Sequence, residues 1–206
     1  MKLEKMPVGL LIAAHEARKH AGKRLADCQP LAETIFSKLA IKSEKAERNG
    51  DLASAIHYAK RAEDYGIWAG QGEKDKNLER LGHLHGKRAG MCMKRGHDFA
   101  GKEKVPIIAV RLYLDAAWDY ADAANCFENC LDGGPKAIGS YRKSIEALYS
   151  AYSQLVCEMG LAGDGKFLMG DNPLSLRLST PNHILSLVKE AEGAIENLAP
   201  SKRKKS

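Results

Sequence analysis

Aromatic residues make up only 6% of this 206-residue chain, and Val, Ile and Thr are thin beside Ala, Leu, Lys and Glu. Those shortages disfavour strands, which draw on β-branched and aromatic side chains. Strict polar–apolar alternation is also rare, so no sizeable sheet is expected. No run approaches the roughly 18 apolar residues that a membrane span needs. Residues 6–14 (MPVGLLIAA) are apolar and follow Lys2 and Lys5. They pass at helical spacing into His15, Glu16, Arg18 and Lys19, and read as the start of a helix rather than a cleaved signal. The five cysteines, Cys28, Cys92, Cys126, Cys130 and Cys157, form no CxxC pair. An odd, unpatterned set points to reduced thiols and a cytoplasmic setting.

What remains is a helix-forming composition, 44% hydrophobic and 28% charged, with material for a real core. We expect an all-α fold of antiparallel helix pairs, as a repeat array or a helical bundle. A first helix is predicted over 7–27 and a second from Pro30, with Leu31, Ile35, Leu39 and Ala46 on its inner face. Asn49-Gly50 is a helix stop and Asp51 a helix N-cap. Residues 70–104 are read as less regular, with the glycines at 82, 86 and 90 baring one face for close helix contact. Further helices are predicted over 105–131, 135–159 and from Thr180-Pro181 to about 198, around a Gly- and Pro-rich loop at 160–181. One helical domain over 1–200 precedes a basic, disordered tail at 201–206 (SKRKKS).

The turn and helix at 50–62 (GDLASAIHYAKRA) resemble the second half of a tetratricopeptide repeat. A second match, WDYADAANCFENC at 118–130, ends at Pro135. Asp51 and Asp119 are 119 − 51 = 68 positions apart, twice the 34-residue period of that repeat. A degenerate copy between them sets Ala89 and Gly96 at the small positions and Met93 at the aromatic one. The resemblance covers about 36–135 and departs where Trp118 stands in place of the turn glycine. It implies a helical array that holds a segment of another protein. The family's carboxylate clamp is not implied, because Ala40, Glu44, Lys74, Leu78, Ile108 and Leu112 occupy its positions.

Residue patterns that carry chemistry are few. Residues 160–167 (GLAGDGKF) fit a phosphate loop until Phe167, where a Ser or Thr should bind magnesium. His83, His85, Cys92 and His97 crowd one segment, but His83 and His85, two apart, point to opposite sides of a helix. Asp115, Asp119 and Asp122 share a helix stripe and read as a solvated acidic face or a partner for the basic segment before it. No catalytic set, cofactor or metal site is expected.

Charge is the stronger signal. The net charge is +6, and from 74 to 104 nine Lys or Arg stand against four Asp or Glu. Lys87 and Lys94, and likewise Arg88 and Arg95, are seven apart and make one cationic helix face. These four are the expected partner-binding residues, and a protein with an acidic surface is the expected partner. A non-enzymatic interaction or scaffold module is therefore the leading reading. Nucleic-acid binding through 74–104 ranks behind it, because no aromatic residue suited to base stacking lies between Lys74 and Arg95. An enzyme assembled from distant residues, with the 160–181 loop as lid, is the third.

Overall fold

The computed structural model describes residues 3–22, 25–100, 106–160, 167–169 and 177–199. It is predominantly α-helical: α1 (Val8–His20), α2 (Leu25–Arg48), α3 (Leu52–Ala69), α4 (Gln71–Phe99), α5 (Pro106–Glu128), α6 (Gly134–Ser153) and α7 (Pro181–Leu198). A short 3-10 turn at Leu3–Lys5 precedes α1, and a π-helical turn at Gln154–Glu158 continues α6. The described part of the 160–181 loop holds a two-stranded antiparallel ribbon. In it β1 (Phe167–Met169) pairs with β2 (Arg177–Ser179), setting Phe167 opposite Ser179. Among the described residues no helix is long and apolar enough to cross a membrane. None of the five cysteines is in a disulfide.

The chain divides into two compact units, one of residues 1–84 with 129–131, the other of 85–128 with 132–206. In the first, α2 and α3 form a hairpin whose turn is the Asn49-Gly50-Asp51 signal. Gly50 takes the left-handed conformation at φ +78°, and the Asp51 side chain accepts from the Ser54 N–H at 3.0 Å. The core stripe Leu31, Ile35 and Leu39 is buried together with Leu11 from α1 and Ala62 and Tyr65 from α3. Two buried polar side chains are satisfied across the helices. Ser43 Oγ donates to the Ala55 carbonyl at 2.7 Å, and Asn77 Nδ2 on α4 donates to the Ala59 carbonyl at 3.0 Å.

In this unit two helix boundaries differ from the sequence expectation. α1 stops at His20, because Gly22 turns left-handed at φ +65°, and does not run on to 27. α2 begins at Leu25 and passes through Pro30 instead of starting there. Cys28 is buried on the same stripe as Leu31, Ala32 and Ile35, and that packing offsets the one backbone hydrogen bond the proline cannot make.

In the second unit α5, α6 and α7 pack side by side around Val110, Leu114, Leu148, Leu155, Ile184 and Val188. Ser144 Oγ, buried between α5 and α6, donates to the Ala117 carbonyl at 2.9 Å. Thr180 caps α7, its hydroxyl accepting from the His183 N–H at 3.0 Å. Residues 71–99 are regular after all: α4 is one uninterrupted helix through five glycines. A glycine inside a helix costs only about 1 kcal/mol against alanine, and Leu78, Leu81, Leu84 and Ala89 give α4 a buried stripe. The 34-residue register would carry the turn at Asp51 to position 85 and then to Trp118–Asp119. Both places lie inside unbroken helices, although the small positions Ala55, Ala62, Ala89, Gly96 and Ala123 are all buried.

Candidate functional site

The most polar buried cluster among the described residues joins α4 to α5 within the second unit. His85 is completely buried, and its Nδ1 lies 2.8 Å from Asp119 Oδ1. Arg88, one helical turn further along α4, grips the same carboxylate with two bonds. Its Nε donates to Oδ2 at 2.6 Å, and its Nη2 donates to Oδ1. This paired geometry is the fork that a planar guanidinium makes with a carboxylate. One turn along α5, Asp122 Oδ2 lies 3.7 Å from His85 Nε2.

Electrostatics fixes the protonation of the pair. Burial alone would raise the Asp119 carboxyl, but hydrogen bonds from His85 and Arg88, with the Arg88 charge, hold it below the usual carboxylate range. Asp119 is therefore ionised at neutral pH, and the Asp119 bond raises Arg88 in turn. Burial, followed by the charges of Asp115 and Asp119, pushes the nearby Cys92 thiol up, which keeps it protonated and unreactive.

The residues singled out in the sequence are thus sorted by the fold. Of the histidines only His85 enters the cluster; His83 is exposed beside Glu79, and His97 is exposed edge-on to Tyr113 at 5.4 Å. Of the acidic stripe Asp119 and Asp122 enter it, while Asp115 lies 4.0 Å from Arg111. Of the cationic face, Lys87, Lys94 and Arg95 are exposed and Arg88 is turned to Asp119 with 40% of its side chain accessible. Sequence reasoning held His85 and the aspartates in separate segments, since 34 and 37 positions divide them. Their shared polarity at inward-facing helix positions was the signal that could have joined them.

A second feature is apolar. A groove of about 210 Å³ runs along α5, α6 and α7, lined by Ala117, Trp118, Ala121, Tyr141, Ser144, Leu148, Leu187, Glu190, Ala191 and Ala194. Alanines form its floor and Trp118 stands at its edge with 41% of its surface exposed. Tyr141 donates to Asn125 Oδ1 at 3.0 Å, and burial with the Glu128 charge raises its phenol far above the usual range.

The phosphate-loop resemblance falls largely outside the described residues, Lys166 included. Phe167 opens a strand, where that motif would open a helix, and a helical segment precedes Gly160. No protein-family model, curated protein or solved structure matches this chain.

Proposed function

We propose that this chain is a non-enzymatic module that binds another protein, as the tetratricopeptide resemblance also implies. The observation that carries the reading is the alanine-floored groove with Trp118 half exposed at its rim. Small-molecule clefts generally measure about 300–1,000 Å³. At about 210 Å³ this groove suits one or two side chains of a partner better than a cofactor. Tryptophan is among the residues enriched at the hot spots of protein interfaces. Glu190 is the one charged lining residue, placed to accept an N–H from a seated segment.

The occupant that fits is a protein segment with an aliphatic or aromatic anchor and acidic flanks. Its acidity answers the net charge of +6 and the exposed Lys87, Lys94 and Arg95.

The test is selection from a displayed peptide library, with the enriched peptides measured by fluorescence anisotropy against the intact protein. Anchored acidic peptides should bind, lose affinity as salt rises, and lose tenfold or more, roughly 1.4 kcal/mol, to Ala121→Arg in the groove. Equal binding by the Ala121→Arg variant would remove the groove from the reading. Tight, sequence-dependent binding of a short DNA duplex, abolished by Glu at Lys87, Lys94 and Arg95, would put nucleic acid in the partner's place.

A further inference from the structure

His85 Nε2 is fully buried and makes no hydrogen bond. An ionised carboxylate can only accept, so the 2.8 Å contact with Asp119 requires a hydrogen on Nδ1. A neutral imidazole carries one N–H, which leaves Nε2 with a bare lone pair. Nε2 lies 3.7 Å from Asp122 Oδ2. A cation held between these two acceptors would satisfy both.

The separation favours a metal ion over a proton. A hydrogen bond would need nitrogen and oxygen to close to about 2.9 Å. A tetrahedral ion with ligand bonds of about 2.0–2.2 Å sets them about 3.4 Å apart. The observed 3.7 Å is a few tenths of an ångström from the second arrangement, and Asp122, 48% exposed, can swing that far.

We infer that His85 Nε2 and the Asp122 carboxylate bind a single divalent metal ion of the borderline class to which zinc, cobalt and nickel belong, with water completing its coordination. An imidazole with a carboxylate suits that class better than calcium or magnesium, which prefer all-oxygen shells. Asp119 serves as a positioning residue: its bond to Nδ1 fixes the ring's tautomer and orientation, as carboxylates behind metal-bound histidines do. Arg88 holds Asp119 in place and cancels its charge, so these four side chains carry one net negative charge, from Asp122, towards the cation. His85, Asp119 and Asp122 bring their polar side-chain atoms within 4.8 Å of one another. The bound ion bridges α4 and α5.

Cobalt(II) is the probe, because its visible spectrum separates nitrogen–oxygen coordination from thiolate coordination by the five cysteines. It would be titrated into chelator-stripped, full-length protein while visible absorption and thermal unfolding are followed. One equivalent should bind without a thiolate charge-transfer band, and the melting temperature should rise with cobalt concentration. Asp122→Asn and His85→Gln should each weaken binding about tenfold or more, and Asp119→Asn should weaken it less while moving the cobalt spectrum. His85 is buried and its replacement costs stability, so Asp122→Asn at a half-exposed side chain is the deciding variant. Binding that survives Asp122→Asn, or that shows thiolate absorption, overturns the inference. So does the absence of any binding at millimolar cobalt. A nitrogen-15 spectrum showing His85 doubly protonated at neutral pH and unmoved by cobalt overturns it as well, and assigns the gap to a proton.

Discussion

Gly96 on α4 lies against Tyr113 on α5 so closely that a Cβ at position 96 would sit 2.7 Å from the ring's Cε1. Tyr113 is itself buried, so the ring has little room to withdraw. Gly96→Ala should therefore destabilise by about 1–3 kcal/mol through overpacking. Gly86, on the same helix, has no atom within 4 Å of its notional Cβ. Gly86→Ala should stabilise by about 0.5–1 kcal/mol, because alanine loses less backbone freedom in a helix. Denaturant unfolding of the two variants checks the pair. Shifts of the same sign would mean that α4 and α5 do not meet at Gly96 as described.

The Asp119 carboxylate should matter more than any other single charge in the second unit. Its side chain is 5% exposed and accepts bonds from both His85 and Arg88. Asp119→Asn should cost about 2–3 kcal/mol at neutral pH, the scale of lost hydrogen bonds to a charged group. The pH dependence follows from the sign of the shift. A carboxyl held low in the folded state contributes stability that is fully present above its unfolded value of about 3.9. That contribution fades as pH falls towards the folded value. Unfolding curves from pH 7 to pH 3 should show wild type and Asp119→Asn converging in acid. A constant gap across that range would contradict the ionised assignment.

Ala55 on α3 and Ala123 on α5 are both fully buried. Replacement by Arg should cost a few kcal/mol at each, as a long charged side chain is forced into a closed interface. Ala13 on α1 is exposed, and Ala13→Arg should stay within about 0.5 kcal/mol of wild type. Equal melting shifts at all three positions would be inconsistent with the packing of these helices.

ATP with magnesium should leave the melting temperature unchanged. A ligand selective for the folded state must raise it, and Phe167 at the head of a strand supplies neither the hydroxyl nor the helix start that phosphate binding needs. A saturable rise of several degrees would reverse that expectation.

Local chemistry was legible in the sequence wherever a few adjacent residues decide the outcome. The Asn49-Gly50-Asp51 turn, the Thr180 cap and the inner stripe of Leu31, Ile35 and Leu39 could be placed because capping and helical periodicity act within one or two turns. Scarce aromatics and β-branched residues settled the helical class for the same reason. The sequence left open everything that depends on a distant neighbour. Pro30 and the glycines of α4 looked like breaks, and only the burial of Cys28, Leu81 and Leu84 outweighs their local cost. Gly96, already a small position in the repeat register, is the close contact with Tyr113, while Gly86 meets nothing within 4 Å. Arg88 was read as part of a cationic face, either open or answered by the acidic stripe, and packing set Asp119, 31 positions away, against it. His85 met Asp119 and Asp122 only through the packing of α4 on α5. Helix periodicity can say which side chains face inward, but it carries no information about which inward-facing side chains meet.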